Sequence, residues 1–453
     1  MSAGGRCERP GQRTAERMAT VGGPPWSLPV SLLVAAVVGQ VVGAAVLLAA
    51  SGDLARGEGY GPEQLAAVHL LGLAFLTVAI IGALLQLVPV LLRRRLGSTV
   101  RSAVAGGAVT AGSWSLALGL WRADDVLIAV GGTLLVAGGG MVVVDLVVAL
   151  VGAMAARTLG ASGVGIALAT LWFAATLGFG ALMAADRIHP FLETDRNDLI
   201  AAHASIAIVG WIGGTILAVA LRLAPMFALS HGHRQRLGVM AMGAWHASVI
   251  PLSLGFLVGA DLLAAAGGVL LLAACAIGLV YVIDVARHRR RRPEAPMVHL
   301  LIGLLSAAAA VTLMLVAWTG PGDPYRMAIP AGILALVGFG AGTTSGHLFK
   351  VVPMLVWTGR FAHLAGTPGA PRLADLYPAP LAVAEQALFV TGLGLLSGGI
   401  AVGAPAPARA GAVLLVIATL AVAAAVVVTA FRPAGTRVQR IDTSIQPSMK
   451  GTS

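Results

Sequence analysis

Two histidines stand at matching places in the sequence, and their side chains could bind a metal ion. His69 lies twenty residues before Pro89, and His203 lies twenty-two residues before Pro225. At a rise of about 1.5 Å per residue, helices in these stretches would hold the two imidazoles within about 3 Å of the same depth. Imidazole is a ligand that suits iron and copper. We therefore predict that His69 and His203 bind a cofactor; the alternative is that they are interfacial histidines bonded to neighbouring carbonyl groups.

Two further histidines inside apolar stretches are candidate metal ligands at another depth. His347 precedes Pro353 by six residues, which places it about 21 Å along the helix axis from the level of His69. It cannot share a mononuclear site with His69. His246 is expected at a depth comparable to that of His347, and His299 could join them. These residues form a second hypothetical metal site. The alternative is that each of these histidines has only a structural role.

Charged side chains also occur in apolar surroundings. Asp145 lies among valines in MVVVDLVV, and burying an isolated carboxylate in a membrane costs at least about 2.5 kcal/mol. Lys350 and Arg222 are expected at a similar depth and could pair with it. We predict that these three residues form either a proton path or a structural ion pair. In the second case the long side chains of Lys350 and Arg222 would extend toward the membrane surface. Glu385 is expected within reach of the lipid headgroups.

The elements that position these residues are marked by a pattern that occurs three times, in 74–90, 210–226 and 338–354. In each copy an aromatic residue lies fourteen positions before a proline, and a long polar or basic residue lies three positions before it. The aromatic residues are Phe75, Trp211 and Phe339, and the polar or basic residues are Gln86, Arg222 and Lys350. Four apolar stretches fit between successive copies. A repeat of nearly fixed period indicates the architecture, and this one predicts twelve helices in three pseudo-symmetric groups of four.

Twelve apolar runs of about 20 residues are each long enough to cross a hydrocarbon core about 30 Å thick. The predicted spans are 27–50, 65–92, 102–121, 124–153, 164–184, 199–228, 236–258, 261–284, 297–318, 328–357, 381–402 and 410–431. We predict an all-α integral membrane protein with one twelve-helix domain over residues 25–432. The polar tails, 1–24 and 433–453, are expected to be disordered and cytoplasmic.

Arginine is concentrated in every second connector. Connectors after even-numbered spans are basic, as in 93–95 and 289–292, whereas those after odd-numbered spans are acidic or nearly neutral, as in 186–198. Because positive charge resists translocation, the basic side and both termini are predicted to be cytoplasmic. We expect a multi-pass protein in the plasma membrane of a bacterium.

The composition excludes several classes of protein. The chain is 58% hydrophobic and 11% charged, with a mean hydropathy of +0.89, whereas a soluble chain carries about 25% charged residues. The formal net charge of +11 comes from the connectors and does not indicate nucleic-acid binding. The two cysteines, Cys7 and Cys275, provide neither a disulfide framework nor a cysteine-based metal site.

The segments 203–227 and 68–91 resemble the catalytic subunit of the heme–copper oxidase superfamily. Each has a histidine at the head of a span, an aromatic residue within it and a proline about twenty residues after the histidine. The likeness is to the nitric oxide reductase and C-type oxidase branches and to NnrS-like relatives. The resemblance implies three four-helix arcs, with heme and copper ligands on the second, sixth and tenth helices. His69 takes the position of a low-spin heme ligand and His203 that of a copper ligand.

From this resemblance we expect heme b and copper as cofactors, and a role in respiratory electron transfer or in nitric oxide or copper chemistry. The expected partners are the lipid bilayer and an electron-donor protein or quinol. The chain departs from the family at two places. The tenth helix of the family opens with His-x-His, whereas 327–336 contains no histidine, and the paired histidines of the seventh helix are absent. An ordinary binuclear site cannot be assembled, which indicates a degenerate oxidoreductase.

Two other functions remain open. Twelve helices are the common count for a secondary transporter, although such transporters show six-plus-six symmetry and the repeat found here has a period of four helices. The chain could also be a structural or assembly protein that kept the fold without a cofactor.

Overall fold

The computed structural model of the protein describes residues 23–319, 325–367, 370–376 and 378–432. These residues form helices and no strand, and twelve of the helices are long and apolar enough to cross a membrane. In chain order they are α1 (Ser27–Ala55), α2 (Pro62–Leu92), α3 (Thr99–Arg122), α4 (Asp125–Ala155), α5 (Ala161–Ile188), α6 (Arg196–Ala228), α7 (Gln235–Leu257), α8 (Asp261–Arg287), α9 (Ala295–Trp318), α10 (Arg326–Leu364), α11 (Ala379–Ala401) and α12 (Pro405–Ala430). The predicted all-α membrane architecture is confirmed. The tails, predicted over 1–24 and 433–453, lie outside the described residues except for Gly23 and Pro24.

One helix is longer than its sequence predicts. α10 continues to Leu364 rather than ending near residue 357, because a π-helical turn over Trp357–Phe361 carries the backbone on. The Trp357 indole donates a hydrogen bond of 2.7 Å to the Pro371 carbonyl, which fastens this end of the helix to the following connector.

Three helices form the centre of the molecule. The most apolar stretches of α2, α6 and α10 are 78%, 67% and 61% buried, whereas no other span exceeds 56%. The three helices contact one another in their middle sections. They are the helices that carry the threefold sequence pattern, so that pattern marks the elements with the largest share of buried surface.

Each central helix contains a π-helical segment, in which the backbone hydrogen bonds run over five residues instead of four. These segments are Leu70–Thr77, Ser205–Gly213 and Leu334–Ala341, and each ends twelve residues before the proline of its helix. Such segments are rare and occur frequently at functional sites. The widened turns free carbonyl groups: the Thr77 hydroxyl donates to the Gly72 carbonyl at 2.9 Å.

The three central helices meet at one register position. Leu76, Ile212 and Gly340 each lie thirteen residues before the proline of their helix. A Cβ atom on Gly340 would lie 3.0 Å from Leu76 and 3.5 Å from Ile212. Glycine at this position on α10 therefore lets the two larger side chains fill the centre.

The helices around this centre pack at repeated positions. Ala74, Gly210 and Gly338 each lie fifteen residues before the proline, and they lie against α1, α5 and α9 respectively. The outermost helices form three hairpins, α3 with α4, α7 with α8, and α11 with α12. Small residues bring their backbones together, as where a Cβ on Gly267 of α8 would lie 2.5 Å from the Leu252 nitrogen of α7.

The connectors define two faces of the molecule. We call the side on which even-numbered helices end the arginine face, since it holds 93–98, 229–234 and 288–294. We call the opposite side, on which even-numbered helices begin, the acidic face.

Candidate functional site

His69 and His203 both lie at the entry of a π-helical segment near the acidic face. His69 immediately precedes Leu70–Thr77, and His203 lies two residues before Ser205–Gly213. The two π-helical segments contact each other. The fold therefore brings the two predicted cofactor residues, 134 positions apart in the chain, into one neighbourhood.

The His69 ring is held in an orientation that suits a metal ligand. Its Nδ1 lies 2.8 Å from the Leu65 carbonyl oxygen, to which it donates a hydrogen bond. That bond places the proton on Nδ1 and leaves the lone pair of Nε2 for another partner. Histidines that bind metals commonly donate their other ring nitrogen to a carbonyl in this way.

The His203 ring lies against α5. A Cβ atom on Gly180 would lie 3.2 Å from its Cε1, and the ring of Phe179 lies 5.9 Å away between centroids. Its Nδ1 is buried and has no hydrogen-bond partner among the described residues. A buried polar atom without a partner costs about 1–3 kcal/mol, so a bound ligand would satisfy a group that the fold leaves unsatisfied.

The third central helix contributes no imidazole at this level. Ile333 occupies the position just before the π-helical segment of α10. In the part of the chain that is described, no three histidine, cysteine or acidic side chains are grouped so as to hold a metal ion. The candidate site therefore offers two imidazoles, which are nitrogen ligands of a kind that iron and copper accept.

The second predicted metal site is not assembled as the sequence suggested. His246 packs on the α7 side of α6, where a Cβ on Gly214 would lie 2.4 Å from the ring. His347 lies on the inner side of α10, facing α2 and α6, with its Nδ1 2.7 Å from the Thr343 carbonyl oxygen. His299 bonds to a carboxylate instead. These histidines occupy three different surroundings because equal depth along a span does not fix the side to which a residue turns.

His347 lines a cavity on the axis between α2, α6 and α10. The cavity has a volume of about 70 Å³, which is enough for several water molecules. Its walls are mainly residues ten, six and two positions before each proline: Ala79, Ala83, Leu87, Thr215, Val219, Leu223, Thr343, His347 and Val351. The imidazole of His347 and the hydroxyl groups of Thr215, Thr343 and Thr344 are the polar groups in this mainly apolar wall.

The charged residues have partners that differ from those expected. Asp145 forms an ion pair with Arg101, with 3.0 Å between Oδ1 and Nε, and Lys350 forms one with Glu294, with 2.5 Å between Nζ and Oε2. Arg222 is exposed. The suggested pairing of Asp145 with Lys350 or Arg222 is therefore wrong. The reason is that residues near the ends of other spans take these places: Arg101 lies in the first turn of α3, and Glu294 lies just before α9.

A buried histidine–carboxylate pair was missed by the sequence analysis. His299 Nε2 lies 2.9 Å from Glu385 Oε2, and the two side chains are 0% and 1% exposed. Glu385 was expected to reach the headgroups, but α9 and α10 cover this part of α11, and the Phe389 ring packs 5.5 Å from His299. The signal available in the sequence was a single acidic residue seven positions into an apolar span.

Comparison with protein-family profiles and with characterised proteins finds no match to this chain. The site is therefore interpreted from its own residues and their geometry.

Proposed function

We propose that the protein has the architecture of the heme–copper oxidase superfamily and that His69 and His203 bind a heme iron or a copper ion near the acidic face. The observation that carries this proposal is the placement of both histidines at the entries of π-helical segments in equivalent helices. The contact between the two π-helical segments supports a site near both histidines.

The packing supports three four-helix groups, α1–α4, α5–α8 and α9–α12. In each proposed group the third and fourth helices form a hairpin and the second helix lies at the centre. In each group, the residue fifteen positions before the proline of the second helix packs against the first helix of the same group. A threefold arrangement requires such equivalent contacts. A transporter built from two six-helix halves would instead make α2 equivalent to α8.

In this proposal the protein residues hold and orient the cofactor. His69 offers Nε2 because the Leu65 carbonyl takes the proton of Nδ1, and His203 has an unsatisfied nitrogen beside it. A bound heme or copper would supply one-electron redox chemistry. The chain lacks the paired histidines of the family's seventh helix and the His-x-His that opens its tenth. We therefore propose electron transfer or nitric oxide or copper chemistry, with a donor protein or quinol as the source of electrons.

The test is a reduced-minus-oxidised visible spectrum and a metal analysis of the protein purified in detergent. We expect a b-type heme spectrum or stoichiometric copper, and the loss of either in His69→Ala and His203→Ala. His363→Ala, which changes an exposed histidine at the opposite face, is the matched control. Colourless, metal-free protein, or a signal that survives both substitutions, would overturn the proposal.

A secondary transporter is the second candidate function, and the axial cavity favours it. The cavity lies between the three central helices and combines apolar walls with one imidazole and hydroxyl groups. Colourless protein that a solute stabilises against heat would favour this function, and colourless protein that no solute stabilises would favour a structural or assembly role.

A further inference from the structure

The His299–Glu385 pair lies inside the membrane domain and close to the arginine face. His299 is the fifth residue of α9 and Glu385 the seventh residue of α11, so each lies about 6–9 Å along its helix from that face. Both side chains are fully buried, with 2.9 Å between Nε2 and Oε2. Ionisable residues within a membrane domain are costly, and they commonly mark routes for protons or ions.

Within the part of the chain that the structure describes, one ring nitrogen of the buried pair is left without a hydrogen bond. Nδ1 of His299 is buried and has no hydrogen-bond partner among the described residues. The pair is neutral with imidazolium facing carboxylate. Loss of one proton leaves a charge of −1, and uptake of one proton by Glu385 leaves a charge of +1. An imidazole and a carboxyl group whose protons can be shared in this way are suited to accept and release protons.

A second ion pair connects this site to the arginine face. Lys350 and Glu294 are joined at 2.5 Å, and the Glu294 side chain is 22% exposed. Lys350 lies four residues, about 6 Å along α10, from Gly346, and Gly346 packs directly against His299. Arg291 lies 3.8 Å from Glu294 at the surface. Ionisable side chains therefore lead inward from the arginine face.

The inner end of this series is the axial cavity. His347 follows Gly346 on α10, and Gly346 packs directly against the His299 side chain. His347 also lines the cavity. The titratable groups around the pair are thus His347 and Lys350 on α10, and Glu294 just before α9.

We propose that His299 and Glu385 form a proton-binding site that exchanges protons between the arginine face and His347 at the axial cavity. In one transfer an N–H bond of the His299 imidazolium breaks and, by way of an intervening water molecule, an N–H bond forms on His347, which becomes imidazolium. The pair, then carrying −1, takes a proton from water at the arginine face through Lys350 and Glu294. Charge and protons balance without an oxidant or reductant.

Infrared spectroscopy of the purified protein between about pH 5 and about pH 9 tests the site. This range brackets the ordinary pKa of histidine and lies above that of glutamate. We expect a carboxyl band that changes with pH, disappears in Glu385→Gln and shifts in His299→Gln. His299→Gln also serves if Glu385→Gln fails to fold. The same band should remain in Asp145→Asn, which alters a buried carboxylate elsewhere. A wild-type spectrum with no Glu385 band that changes in this range would overturn the proposal.

Hydrogen–deuterium exchange of the His299 ring tests the route, and it is read from an imidazole ring band that is lost in His299→Gln. In wild-type protein that ring band should shift on transfer to heavy water within minutes, because the imidazolium N–H becomes N–D. Lys350→Met should slow the exchange by about a hundredfold, the lower end of what a positioned proton donor contributes. Equal exchange rates in wild type and Lys350→Met would overturn the route through Lys350. His69→Ala should leave the band and its exchange unchanged, so this result is independent of the proposed heme or copper site.

Discussion

The contribution of a buried polar side chain to stability depends on whether it has a partner. His299 and Glu385 are buried to at least 99% and pair with each other, whereas His246 is 4% exposed and neither ring nitrogen has a partner among the described residues. Pairing offsets the cost of desolvation only when both partners are present. Removal of one partner should therefore be far more harmful than removal of both.

This difference gives a prediction for the buried pair. Glu385→Leu should lower the free energy of unfolding by about 3–5 kcal/mol, because it leaves His299 buried without a partner. The double variant with His299→Leu and Glu385→Leu should recover most of that loss. Denaturant unfolding in detergent measures both values. A double variant less stable than Glu385→Leu would show that the pair contributes more than mutual compensation.

At the residue scale, the sequence was sufficient where a repeated spacing carried the information. His69 and His203 could be matched because both precede a proline by a similar distance, and the fold places them together. Glu385 could not be placed, because its exposure depends on whether a neighbouring helix covers that side of α11. A sequence gives the depth of a residue along a span, but not the surface against which it packs.

The π-helical segments are the feature of the helices that most affects the centre. They occur at one register in α2, α6 and α10, so the helices approach one another through Leu76, Ile212 and Gly340. The sequence predicted all twelve spans from apolar length, but not these segments. An apolar run has the same composition whether its hydrogen bonds span four residues or five.

A substitution at the centre should separate packing from helix propensity. Gly340→Leu should lower the free energy of unfolding by about 1–3 kcal/mol, because the new side chain would overlap Leu76 and Ile212. Gly332→Leu on the same helix is the control, since a Cβ at Gly332 meets no atom within 4 Å. Thermal unfolding in detergent compares the two variants. Equal losses of stability would contradict close packing at the centre.

The connector before α11 contains an ion pair between Arg372 and Asp375, and this pair should make the stability of the connector depend on pH. A hydrogen bond from the Arg372 side chain holds the pKa of Asp375 below its ordinary value, and it raises the pKa of Arg372. Because the folded carboxyl has the lower pKa, its contribution is fully present above the ordinary value of about 3.9 and is lost as pH falls through the lowered value.

We therefore expect the segment 370–376 to become more accessible to an acid-active protease as pH falls below about 4, because the Asp375 carboxyl of the opened segment then takes up a proton before that of the paired segment does. Asp375→Asn should show the higher accessibility already at neutral pH. Arg56→Gln at the opposite face is a control that should leave cleavage of this segment unchanged. Cleavage that rises equally with acid in wild type and in Asp375→Asn would show that another group is responsible.

On the scale of the whole molecule, the two faces carry different chemistry. The candidate heme or copper site lies near the acidic face, whereas the His299–Glu385 pair and the axial cavity lie toward the arginine face. If both proposed sites are functional, they form two separate levels on one central trio of helices, an arrangement that suits coupling across a membrane. The direction of such coupling across the membrane depends on which face of the protein is cytoplasmic.

The orientation follows from the distribution of arginine and can be measured. Because positive charge resists translocation, the arginine face is predicted to be cytoplasmic. In a background carrying Cys7→Ser and Cys275→Ala, single cysteines are introduced as Glu193→Cys on the acidic face and Thr367→Cys on the arginine face, both at exposed positions. A membrane-impermeant maleimide should label the first in intact cells and the second only after permeabilisation. The opposite pattern would place the His299–Glu385 pair on the outer side and reverse the direction from which it takes up protons, while labelling of both sites in intact cells would contradict a fixed membrane-spanning arrangement.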